Sequence, residues 1–138
     1  MSGDTVTIGN VTLTAVKDLP AMRGDPRYMY ADVTQEQLDA HQEWFNERGL
    51  LDITIGSLLV RSAGRTIIID TGIGKLERPP FRTERADLLG NLAAHGVRPE
   101  DVDLVVTTHL HVDHVGWNTI QQGERWVPTF SRARYLIQ

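Results

Sequence analysis

"VVTTHLHVDHVGWN", residues 105–118, sets three histidines and an aspartate within six positions: His109, His111, Asp113 and His114. The chain has 138 residues and five histidines, so chance would give a His-x-His-x-Asp-His window in roughly one such sequence in two thousand. His109 and His111 are two apart, so in an extended segment their imidazoles leave on the same side. Asp113 and His114 follow where strand should give way to turn or helix, and they approach from another direction. Imidazole nitrogen and carboxylate oxygen suit Zn²⁺, and also Fe or Mn. Four ligands this close in sequence cannot surround one ion tetrahedrally without strain. The spacing better suits two adjacent ions, one on His109 and His111, the other on Asp113 and His114. Such a pair can hold a bridging hydroxide and stabilise charge developing on a carbonyl or phosphoryl oxygen. The plainer alternative is a solvated histidine-rich turn that takes up metal adventitiously. The place of the run, directly after a buried-looking strand where functional loops gather, favours a site.

Outward from the cluster, "VDLVVTTH" reads as a short strand, and the apolar run Val102–Val106 suggests burial on both faces. Upstream, "DITIGSLLVRSAGRTIIIDTG" (52–72) gives two apolar strands around Ala63-Gly64, the second ending in Asp70-Thr71-Gly72. "KLERPPFR" (75–82) reads as a loop. From about Thr83 to His95, leucines 88, 89 and 92 recur at helical spacing and Gly96 caps the end. At the N-terminus, "VTIGNVTLTAVKDL" (6–19) alternates apolar and polar residues around Gly9-Asn10, as a hairpin does. "GDPRYMYAD" (24–32) is irregular. Thr34 then opens a helical pattern, with Gln37 at capping-box spacing and Gly49 as its stop. "GERWVPTFSRARYLIQ" (123–138) predicts a turn and loop, then a last strand from Ala133 to Ile137.

Length fits one domain. Hydrophobic content of 41% and charged content of 23% are those of a soluble globular protein. A net charge of −4 gives no electrostatic reason to expect nucleic acid or an anionic membrane as partner. No apolar run approaches the roughly 20 residues that span a bilayer. The N-terminus has neither a basic region nor a continuous apolar one, so it does not read as a secretory signal, and a cytoplasmic location is expected. With no cysteine, the chain must hold any metal by nitrogen and oxygen.

"THLHVDHVGW", preceded by a strand ending in "DTG", resembles the metallo-β-lactamase fold superfamily of metallohydrolases. The His-x-His-x-Asp-His hallmark is intact, and the order of hairpin, Asp-Thr-Gly, loop, helix and strand also matches. The resemblance implies an α+β fold, the N-terminal half of an αβ/βα four-layer sandwich with a mixed sheet and flanking helices. It implies that His109 and His111 bind a first metal, and Asp113 and His114 a second, most simply two Zn²⁺. It gives Asp113 a further part in proton transfer to the leaving group. Asp70 becomes a buried carboxylate that orients the motif loop, a role common around metal-bound histidines; the alternative for Asp70 is a strand-end turn former.

The pattern also lacks something. The family completes its sites with a further His, a bridging Asp and another His, yet no His or Asp follows His114. His41 and His95 both lie upstream in helical patterns, and read as a surface residue and a helix-end residue. Residues 1–138 therefore read as a single, truncated domain. Trp117 reads as packing rather than a substrate-facing wall, and Thr107 and Thr108 as strand and turn hydrogen bonders. The Tyr28–Trp44 segment, with Tyr30 and Met22, is a candidate pocket mouth. The implied function is a metal-dependent hydrolase in which activated hydroxide attacks a lactone, ester, thioester, β-lactam or phosphoester, a lactone-like ester being favoured. The alternatives are a di-iron redox enzyme of the same fold and a non-catalytic truncated fragment. The implied partners are a small-molecule substrate and either a missing C-terminal half or a second copy, because two helical segments cannot cover both faces of such a sheet.

Overall fold

The computed structural model describes residues 4–76 and 83–138, so most of the expected 75–82 loop lies outside the described residues. The chain forms two compact units, Met1–Leu19 with Ile55–Gln138, and Pro20–Thr54. In order, the strands and helices are β1 (Thr5–Ile8), β2 (Val11–Gly24), α1 (Pro26–Met29), α2 (Gln35–Asp39), β3 (Leu51–Ser62), β4 (Arg65–Ile69), α3 (Leu88–Ala94), β5 (Leu104–Thr107), α4 (Val112–Val115), β6 (Thr119–Gln122), β7 (Arg125–Pro128) and β8 (Arg134–Ile137). A six-stranded sheet runs in the order β1-β2-β3-β4-β5-β8, and β6 and β7 form a separate ribbon. β1–β2 and β3–β4 are antiparallel hairpins, whereas β4, β5 and β8 run parallel. The sheet is therefore mixed, as expected.

The β3–β4 turn shows why these residues make a hairpin. Ala63 and Gly64 both take positive φ, +49° and +74°, the pair of left-handed conformations that matches the twist of a two-residue turn. The apolar periodicity then decides which face is buried. Val16, Leu59, Ile68 and Val105 point to one side and meet Leu88 and Leu92 of α3, with Val97, Val102, Trp117 and Phe130 closing the core. α3 is tied to β2 by the Asn91 side chain, which donates to the Lys17 carbonyl at 2.8 Å.

The expectation that the Val102–Val106 strand is buried on both faces is corrected. Along β5, Val105 and Thr107 are buried while Leu104 and Val106 are half-exposed. The same alternation leaves Leu58, Ile67 and Ile69 partly open, and Val6, Ile8 and Leu136 are 58%, 66% and 45% exposed. The register places these side chains together: Leu58 opposite Ile69, Ile67 beside Leu104, Val106 beside Leu136, and Val11 opposite Ile8. α3 covers one face of the sheet; on the other, Val60 is buried while the side chains named above stay partly open.

Other boundaries shift for local reasons. α3 begins at Leu88 rather than near Thr83, because the Asp87 side chain caps it by accepting from the Gly90 amide at 3.1 Å. The helix expected from Thr34 to Gly49 does start with the Thr34–Gln37 capping box, but it stops at Asp39 and a 3₁₀ turn, Gln42–Trp44, follows. Its partial apolar stripe could not extend it. The 24–32 stretch contains α1, capped by Asp25 with Pro26 in the first turn. The β6–β7 ribbon was not expected; it turns at Gly123, and Ile120 opposite Val127 is its one apolar pair.

The unit Pro20–Thr54 has a hollow of about 270 Å³ lined by Pro26, Tyr30, Val33, Leu38, Trp44 and Phe45. Tyr28, expected near such a mouth, is 90% exposed and does not line it.

Candidate metal centre

The motif begins as β5 ends. Thr108 leaves the strand, His109 and His111 lie on the connecting turn, and α4 carries Asp113 and His114. Asp70, at the end of β4, is held at φ +56°, a conformation that costs an ordinary residue of order 1–3 kcal/mol. The neighbouring parallel strand explains its direction. The Asp70 amide donates to the Val106 carbonyl at 2.8 Å, and its carboxylate reaches over the end of β5.

There Oδ1 accepts from the Thr108 amide at 2.8 Å, both oxygens take the Thr108 hydroxyl, at 3.0 and 2.8 Å, and Oδ2 faces His114 Nδ1 at 2.8 Å. Burial pushes the Asp70 carboxyl up, but the Thr108 amide, the His114 imidazole and the Thr108 hydroxyl outweigh it and hold it below the usual carboxylate range. An ionised carboxylate only accepts. His114 Nδ1 therefore donates to Asp70, and its Nε2 is turned toward the Asp113 carboxylate, 3.3 Å away. The Thr108 hydroxyl gives its proton to Asp70, so at 3.1 Å its oxygen accepts from His109 Nδ1, and His109 presents Nε2 as a lone pair toward His111. One carboxylate and one hydroxyl thus hold the Nδ1 atoms of both rings.

The four motif residues form two near pairs. His109 Nε2 lies 3.1 Å from His111 Nδ1, and Asp113 Oδ2 lies 3.3 Å from His114 Nε2. Two ligand atoms at about 2.0–2.1 Å from a tetrahedral ion are about 3.3 Å apart, so each pair has the spacing of two ligands on one ion. Without metal, a proton on His111 Nδ1 is shared with His109 Nε2, and metal binding would displace it. The rings of His109 and His114 are 3.9 Å apart at their centroids, so the pairs adjoin. Among the described residues, no three or more His, Cys, Asp or Glu side chains are arranged to hold one ion. The donors present fit a pair of nitrogen- and oxygen-ligated ions, with two protein ligands for each.

The other histidines stand apart from this centre. His41 is exposed and lies 3.8 Å from Glu43. His95 caps α3, and its carbonyl accepts from the Arg61 guanidinium at 3.0 Å. Trp117 is buried in the core, and with Ile73, Lys75, Ile120 and Trp126 it also borders a cleft of about 620 Å³. Sequence reasoning passed over two residues that hold the segments around the motif. Thr71 binds the motif through its amide, which donates to the His114 carbonyl at 2.8 Å, and through its hydroxyl, 3.1 Å from the Asn118 side chain. Asp18, on β2, lies within the alternating 6–19 stretch and was not singled out. In the alternation of the hairpin it falls in step with Thr12 and Thr14, so the sequence carries no signal for it.

If Asp70 orients His114 and Thr108 as this geometry has it, Asp70→Ala is expected to lower metal affinity roughly 10–100-fold. Calorimetric titration with Zn²⁺ checks this, and an unchanged affinity would return Asp70 to a turn former.

Comparison with known proteins gives concordant matches. The profile of the metallo-beta-lactamase superfamily matches residues 55–136. The N-acyl homoserine lactonase AiiB of Agrobacterium fabrum is 27% identical over 115 residues, covering 73% of this chain and 41% of that protein. A probable metal-dependent hydrolase from Staphylococcus aureus superposes with a TM-score of 0.75 at 26% identity, over 94% of this chain and 47% of that one. The hydrolase AbOPH, of the beta lactamase superfamily, superposes with a TM-score of 0.73 at 30% identity, over 95% of this chain and 42% of that one. The chain thus spans less than half the length of these relatives, and its sheet corresponds to part of their domain.

Proposed function

Because the chain belongs to the metallo-β-lactamase superfamily, we propose that residues 1–138 carry half of the ligand set of a two-metal hydrolase acting on an ester-like bond, most simply that of a lactone. The observation supporting this reading is the adjoining pair of donor pairs, at 3.1 and 3.3 Å, on His109, His111, Asp113 and His114. Zn²⁺ is the first choice, with Fe or Mn the alternatives for such a donor set. Bound there, the ions would supply a nucleophile drawn from water at neutral pH and a Lewis acid for the carbonyl oxygen. The protein's own part is orientation and proton handling. Asp70 and Thr108 hold His109 and His114 by Nδ1, with Nε2 turned toward His111 and Asp113. Asp113, half-exposed beside His114, would pass a proton to the leaving oxygen on this reading. The preference for a lactone rests on the similarity to AiiB, which at 27% identity is a modest support.

The remaining ligands belong, on this reading, to a C-terminal half that also covers the open face of the sheet, with self-association the substitute when that half is absent. A small-molecule substrate and a cytoplasmic location are part of the same proposal. No helix of the described residues is long and apolar enough to cross a membrane.

The test is zinc content after exhaustive dialysis. The parent is expected to retain zinc, more weakly than a complete site, and the double variant His109→Ala/His111→Ala to lose it. Equal zinc in the two proteins would refute the assignment of these residues as ligands.

A further inference from the structure

The chain spends a second carboxylate in a place without solvent. Asp18 is fully buried on β2 and accepts four hydrogen bonds from uncharged N–H groups. Oδ2 takes the amides of Ile73 and Gly74 at 2.7 and 3.0 Å, and Oδ1 takes the Leu88 amide and the Trp117 indole N–H at 2.9 and 2.8 Å. A buried carboxylate costs several kcal/mol unless its lone pairs are filled, and replacing buried charge by apolar side chains is often neutral or stabilising. Stability alone is therefore a poor reason for an aspartate here.

Its four donors suggest a different reason. They come from the loop after β4, the start of α3 and the indole of Trp117, three residues past the last motif histidine. The first and last of these belong to the two segments that build the metal centre, and those segments are also laced to each other. The Gly116 amide donates to the Gly72 carbonyl at 2.8 Å, the Trp117 amide to the Thr71 carbonyl at 3.1 Å, and the Thr71 amide to the His114 carbonyl at 2.8 Å. Gly72 has no side chain because one would collide with the Asp18 carboxylate. Asp18 thus grips the Asp70–Gly74 loop with one oxygen, and with the other the start of α3 and Trp117, just past the motif.

We propose that Asp18 is a positioning residue for the metal centre, fixing the loop that carries Asp70 against the segment that carries Asp113 and His114. This rests on the reading of those residues as a metal site, and the test is built to separate the two.

Asp18→Asn keeps the size but offers one oxygen and one NH₂ to four N–H donors, so two of them lose their acceptor. The expected result is at least a 10-fold loss of Zn²⁺ affinity, together with a shift or loss of the downfield Nδ1–H proton resonance of His114 in the zinc-free protein. Leu59→Ala, a core truncation, is the control, with affinities compared at temperatures giving equal folded fractions. If Leu59→Ala loses as much affinity and moves the His114 resonance as much, Asp18 only stabilises the fold and the proposal is overturned. An Asp18→Asn protein with parental affinity and an unmoved resonance overturns it as well. If the parent holds no more zinc than His109→Ala/His111→Ala, the ligand reading fails, and the zinc-free His114 resonance alone decides for or against Asp18. Should Asp18→Asn not fold, Trp117→Phe withdraws one donor and leaves the carboxylate, and the same two readouts apply with a smaller expected shift.

Discussion

Purified alone and supplied with zinc or manganese, residues 1–138 are expected to hydrolyse lactones, thioesters and phosphotriesters no faster than the metal-free background. Enzymes commonly accelerate such reactions by a factor of about 10⁶ or more, so the expected difference from a complete enzyme is large. The reason is coordination. Two-metal hydrolysis needs each ion held in a fixed geometry inside a water-shielded cavity. Here each donor pair gives two protein ligands, and no His or Asp follows His114 to supply more. A dimer of this chain would bring a second copy of the same four groups and none of the missing positions. Adding the remaining half, in the same chain or as a separate piece, should restore turnover. Robust activity of residues 1–138, abolished by His111→Ala or Asp113→Ala, would show that the half set suffices.

Gly116→Ala is expected to be among the most damaging single substitutions in the chain, costing about 3 kcal/mol or more, or roughly 10 °C in melting temperature. Gly116 sits at φ −60° and ψ −35°, where alanine is at ease, so the backbone itself exacts nothing. The added Cβ, however, would land on the carbonyl of Ile73 and the amide of Gly74, and neither backbone group can swing aside as a flexible side chain does. The two loops would have to part at the place where Asp18 and Gly72 hold them, so metal affinity should fall along with stability. Gly96→Ala makes the contrast. Gly96 lies at φ +70° with nothing within 4 Å of an added Cβ, so only the left-handed strain of about 1–2 kcal/mol is paid. Thermal or urea unfolding of both variants checks the ranking, and a Gly116→Ala no worse than Gly96→Ala would mean that the loops are not packed this closely.

Reading the chain by itself determined the candidate donors, the way the motif side chains fall into two near pairs, and the hairpins, because each is a local matter. His109 and His111 share a side by the two-residue period of extended chain, and Asp113 and His114 follow at the turn. The strands around Ala63-Gly64 and the capping box at Thr34 and Gln37 are likewise set by residues within a few positions of one another. Where only a weak local pattern existed, the reading fell short. The ribbon of β6 and β7 has a single apolar pair, and the helix after Thr34 has an incomplete stripe. The tertiary structure decided what depends on distant partners. Val106 looked like a core residue and is half-exposed, because burial of a strand depends on what lies across its face and α3 covers only one side. Asp70 matched a pattern, but its grip on Thr108 and His114 exists only because β4 and β5 run parallel and side by side. Asp18 shows the difference most sharply. Its donors lie 55 to 99 residues away, so no spacing in the sequence could reveal them, and only the folded chain brings four N–H groups to one carboxylate.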